Sequence, residues 1–91
     1  MNYKGTIIHI GETETIGAKG FTKRILVAED QSQTYKQKIC FEFHKDKCAM
    51  LDSFAINDLV EIEFNLNGKE FNGKYYNTLQ GWKITNTEIN F

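Results

Sequence analysis

Cys40, His44 and Cys48 stand four residues apart, and thiolate with imidazole suits zinc. A fourth ligand would have to come from Glu42, Asp46 or His9, and the set contains no CxxC pair. With Cys40 leaving a strand and Cys48 on an apolar helical stripe, the trio reads as ordinary structural side chains, and no metal site is expected. Nucleophilic catalysis would need a cysteine paired with a base. Cys40 and His44 are separated along a strand and the carboxylates are scattered, so neither an enzyme nor a cofactor is expected. A different chemistry is carried by lysines set among aromatics: Lys19, Phe21 and Lys23; Lys36 and Lys38; Lys69, Phe71, Lys74 and Tyr75. Cations that track phosphates and rings on which bases stack are what single-strand binding requires, each stacked base contributing about 1–3 kcal/mol.

Those residues need strands to hold them. Residues 59–66 alternate apolar and polar with period two, the signature of a strand with one face on a core. The polar stretch 67–74 interrupts the pattern and contains Asn/Gly positions that tolerate the positive φ of a hairpin tip; residues 75–84 return as a strand. The loop would present Phe71, Lys69, Lys74 and one of Tyr75 or Tyr76, the other tyrosine being core. Phe71 has an alternative as a lid over the barrel edge. Trp82 is expected in the core, beside a bulge at Gly81.

Earlier in the chain, residues 3–10 read as a first strand, 12–20 as a loop and 21–29 as a second strand. In that strand Leu26 and Ala28 face one way while Phe21, Lys23, Ile25 and Val27 face the other, and parity leaves open which side is buried. After a turn at residues 30–34, residues 36–43 form a third strand. Its Ile39, Phe41 and Phe43 point inward, and Lys36, Lys38, Cys40, Glu42 and His44 outward. Residues 45–55 carry Cys48, Leu51 and Ala55 on one stripe, enough for a short amphipathic helix. The expectation is an all-β chain, a single domain over residues 1–91: a five-stranded oligonucleotide/oligosaccharide-binding (OB-fold) barrel with one short helix between strands three and four.

Composition agrees. The 91 residues suffice for one small core, proline is absent, and the net charge of −1 excludes a strongly basic protein while permitting a local basic face. Without a signal-like apolar stretch or a membrane span, and with two cysteines and no disulfide framework, a reducing cytoplasmic setting is expected, in a bacterium or for a virus of one.

The runs 57–64, 71–77 and 81–84 resemble a small bacterial family of unknown function, itself similar to bacterial single-stranded-DNA-binding proteins. That resemblance covers nearly the whole chain and implies base stacking at positions matching Lys38, His44 and Phe71, with only Phe71 keeping a large aromatic. It also implies self-association as a homodimer or larger oligomer, and a role in DNA replication or repair. The reading is therefore a non-catalytic protein for single-stranded DNA, with RNA open. Lys23, Lys36, Lys38, Lys69 and Lys74 would hold phosphates, and Phe21, Phe71 and Tyr75, with His44, would meet bases. The alternative is a protein-interaction barrel in which Phe21, Ile25 and Val27 form a partner patch.

Overall fold

Among the described residues, alternating β-formers produce six strands: β1 (Asn2–Ile10), β2 (Glu14–Ile16), β3 (Phe21–Glu29), β4 (Lys38–His44), β5 (Leu59–Phe71) and β6 (Lys74–Asn86). The computed structural model describes residues 1–17, 20–30, 34 and 36–87; Lys19, most of the expected turn at 30–34 and residues 88–91 lie outside them. Pairing is antiparallel between β1 and β3, β1 and β5, β5 and β6, and β3 and β4. A short parallel contact, Glu42 opposite Gln80 and Phe43 opposite Gly81, joins β4 to β6. The pairings thus run round a ring of five strands, and β2 adds to the free side of β3. The expected count of five is corrected to six, because residues 14–16 of the expected loop find a partner in Phe21–Lys23.

The core settles which faces are buried. Ile7, Leu26, Ala28, Phe41, Phe43, Leu51, Val60 and Ile62 are fully buried, joined by Phe64 and Ile84. Leu26 and Ala28 therefore face inward, and Phe21, Lys23, Ile25 and Val27 lie on the outer side of β3. Phe41 meets Phe64 edge-on at 5.2 Å between ring centres, a favourable arrangement for the ring quadrupoles.

The helix between β4 and β5 is a 3₁₀ helix at Lys45–Ser53. Cys48 and Leu51, three residues apart, eclipse at three residues per turn and are both buried, with Phe54 next in the series packed against the core. Ala55 falls beyond the helix and is exposed. Asn57, at φ 80°, then turns the chain, and its N–H donates to the Ile7 carbonyl at 2.8 Å to start β5 beside β1. Among the described residues no helix is long and apolar enough to cross a membrane.

Three expectations about the last hairpin are corrected. Residues 67–74 are not a loop: β5 and β6 stay paired from Val60–Asn86 out to Phe71–Lys74, and only Asn72 (φ 53°) and Gly73 (φ 76°) make the turn. Two successive positive φ values match the right-handed strand twist, which is why an Asn-Gly pair can close so long a ladder. From Asn65 to Asn77 the arm is solvent-exposed, and the molecule measures 48 × 28 × 19 Å. Both Tyr75 (79% exposed) and Tyr76 (45%) are outside the core, and so is Trp82 (41%). The bulge expected beside Gly81 exists: Glu63 pairs with Lys83 and Phe64 with Gly81, leaving Trp82 as the extra residue. Gly81 takes the inward place, where a Cβ would stand 2.4 Å from the Phe43 ring.

Candidate nucleic-acid interface

Strand alternation places a single row of side chains on the outer surface of four neighbouring strands. Phe21, Lys23, Ile25 and Val27 come from β3, Cys40, Glu42 and His44 from β4, Thr78 and Gln80 from β6, and Asn67 and Lys69 from β5. Where the arm leaves the ring, this surface folds into a groove of about 360 Å³ lined by Phe21, Lys23, Glu42, His44, Lys69 and Tyr76, with Ile16, Asn67, Gly68 and Thr78. A second hollow, about 300 Å³, continues along the arm between Lys69, Tyr76 and Phe71. Lys69 and Tyr76 belong to both.

The groove floor is polar and internally paired. His44 Nε2 lies 2.9 Å from Glu42 Oε1, and Lys23 Nζ 3.8 Å from Glu42 Oε2. The His44 ring packs edge-on against Phe21 at 5.0 Å, and Lys45 Nζ stands 6.0 Å from the centre of the Phe21 ring, within reach of a cation–π attraction. Next to Glu42 on the same outer row, partial burial and then the Glu42 charge push the Cys40 thiol pKa up, with Lys23 opposing. Cys48 is elsewhere: its buried thiol donates to the Phe43 carbonyl at 3.1 Å, so the evenly spaced Cys40, His44 and Cys48 do not converge.

Phe21, Lys23, His44, Lys69 and Phe71 are thus brought together from three distant stretches. Tyr75 is not among them. Its register partner is Glu70, on the face of the arm that also carries Leu66 opposite Leu79. Lys74, opposite Phe71, sits at the tip on the groove side. Lys38 is exposed at the other end of β4, opposite Glu29 and, at about 3.3 Å per residue, roughly 20 Å along the strand from His44; Lys36, expected within this strand, is exposed just before it.

The sequence reading does not include Glu42, Lys45 and Asn67 in the site, and of Tyr75 and Tyr76, which it leaves as alternatives, it assigns Tyr75 where the structure places Tyr76. Tyr76 shares parity with Thr78 and Gln80, a count that an expected loop at 67–74 interrupts. A family model described as a domain of unknown function (DUF3127) matches residues 2–85. No curated protein matches the chain.

Proposed function

The chain belongs to the DUF3127 family of domains of unknown function, and we propose that this member binds single-stranded nucleic acid, DNA in the first place, without catalysing a reaction. The observation that carries the proposal is the groove itself, which gathers Phe21, Lys23, His44, Lys69 and Tyr76 beside the exposed Phe71. Lysines on its walls suit phosphates and its rings suit bases, the two requirements of sequence-tolerant single-strand binding. Within this reading the ring of five strands is an OB-fold barrel, β2 is an elaboration of its first connection, between β1 and β3, and the likeness to single-stranded-DNA-binding proteins is one of binding surface as well as fold. A cytoplasmic role in DNA replication or repair belongs to the same proposal. Lys74 at the tip, Lys38 at the far end of β4 and Lys36 just before it extend the cationic track for longer strands.

A second reading, self-association or a protein partner, rests on the opposite face of the arm. Leu66 (55% exposed) and Tyr75 (79%) lie there without cover from the rest of the fold. Phe21, Ile25 and Val27 are only half exposed, so the arm offers the better apolar patch.

The test is fluorescence anisotropy of a labelled mixed-sequence oligonucleotide, with duplex and RNA competitors, at low and near-physiological salt. Saturable binding that single strands compete better than duplex is expected, and Lys23→Glu with Lys69→Glu should abolish it. Absence of binding at low salt, together with concentration-dependent sedimentation, would transfer the function to the arm's other face.

A further inference from the structure

Glu42 is an unexpected side chain in a track for phosphates. Its carboxylate lies in the groove among Lys23, His44 and Lys69, where it repels a backbone phosphate. Ionised, it has no proton to give and some four lone-pair sites to fill. His44 engages Oε1 at 2.9 Å, while Lys23 stands 3.8 Å from Oε2, beyond hydrogen-bond length. Lys23 can therefore turn to a phosphate and leave Oε2 open to another donor.

In a single strand the donors are on the bases, whose Watson–Crick edges are exposed once the strand is unpaired. Tyr76 and Phe21 line the same groove as Glu42, and a base stacked on either ring can direct its edge toward the carboxylate. Guanine alone presents N1–H and an N2 amino group side by side, a two-donor edge that matches the two oxygens of one carboxylate. Cytosine and adenine offer a single amino group, and thymine a single N3–H. Resting on the single-strand reading above, we infer that Glu42 recognises guanine within the bound strand, making the groove a selective rather than an indifferent one.

The test compares, by anisotropy in lithium buffer to suppress quadruplexes, an alternating thymine–guanine oligonucleotide with a thymine homopolymer of equal length. A third strand carries hypoxanthine, which lacks the N2 amino group, in place of guanine. The guanine strand should bind about tenfold tighter than the homopolymer, and hypoxanthine should lose most of that gain. In Glu42→Gln, which keeps an acceptor for His44 but offers only one oxygen, the preference should shrink to below about twofold. Equal binding of all three strands to the wild-type protein overturns guanine recognition and leaves single-strand binding standing. Displacement of the strand by guanosine monophosphate at equal base concentration overturns the placing of that recognition within a bound strand, since the site would then take a free nucleotide. If no strand binds at all, the single-strand reading itself falls. The hypoxanthine comparison uses unaltered protein, so it decides the matter even if Glu42→Gln fails to fold.

Discussion

Arg24 shows what a single residue does here that no pattern in the chain announces. It has the inward parity of Leu26 and Ala28 but stands in the first half of β3, before the stretch that pairs with β1, and there its guanidinium replaces core contacts by hydrogen bonds. Nε donates to the Gly11 carbonyl at 2.8 Å, and Nη1 to the Cys48 carbonyl at 3.2 Å and to Asp52 Oδ1 at 2.7 Å. One side chain thereby ties the connection after β1 and the 3₁₀ helix to β3, holding Lys45 near Phe21. The carbonyl bonds are the stabilising part, since charge-assisted bonds from a side chain only 16% exposed are weakly screened. Arg24→Met should lower unfolding free energy by about 2 kcal/mol. Asp52, 72% exposed, contributes little, and Asp52→Asn should cost less than about 0.5 kcal/mol. Urea denaturation of both variants checks the contrast; equal losses would place the stabilisation in the ion pair instead.

At the scale of elements, the parallel contact of β4 with β6 closes the ring, and Gly81 makes it possible. The Phe43 ring occupies the space a side chain would need, with a built Cβ at 2.4 Å from it. Gly81→Ala should destabilise the fold by about 1–3 kcal/mol, the usual penalty for overpacking, visible as an earlier urea midpoint. The arm is the opposite case, because its outer residues bury nothing in the core. Deleting Gly68 to Phe71 and Lys74 to Asn77 would leave Asn67 and Thr78, already register partners, flanking the same Asn72-Gly73 turn. The shortened protein should melt within a few degrees of the parent, about what a change under 0.5 kcal/mol gives, and lose most of its single-strand affinity. A collapse of thermal stability would mean that the arm supports the ring.

For the whole molecule, a formal net charge of −1 conceals a separation of charge. Lys23, Lys69 and Lys74 stand on the groove side, whereas Asp52 and Asp58 lie at the helix and its following turn. Binding of a short oligonucleotide should weaken with salt at a log–log slope of about −2, from three neutralised phosphates. A longer strand that reaches Lys36 and Lys38 should steepen the slope, and Lys36→Glu with Lys38→Glu should remove only the added part. A slope near zero for the short strand would show that its phosphates lie away from these lysines.

Much of this architecture follows from alternation alone. Ile39, Phe41 and Phe43, and again Val60, Ile62 and Phe64, repeat with period two, and a period-two apolar row in water has one way to satisfy itself. The inward face of β4, the first half of β5 and the boundaries of β3 are legible for that reason; an Asn-Gly hairpin tip within 67–74 is legible too, but not which of the two pairs forms it. Other features depend on partners distant in the chain. Residues 14–16 become a strand only because β3 offers a free edge, and residues 67–71 remain a strand because β6 pairs with them in solvent, where side-chain polarity carries no signal. Trp82 is outside because the bulge puts Gly81 inward, and Gly81 is inward because Phe43 needs the room. The groove has the same origin: its lysines and rings were recognisable by type, but which of Tyr75 and Tyr76 joins them, and that Glu42 stands in their midst, is decided by register across strands, which no local pattern encodes.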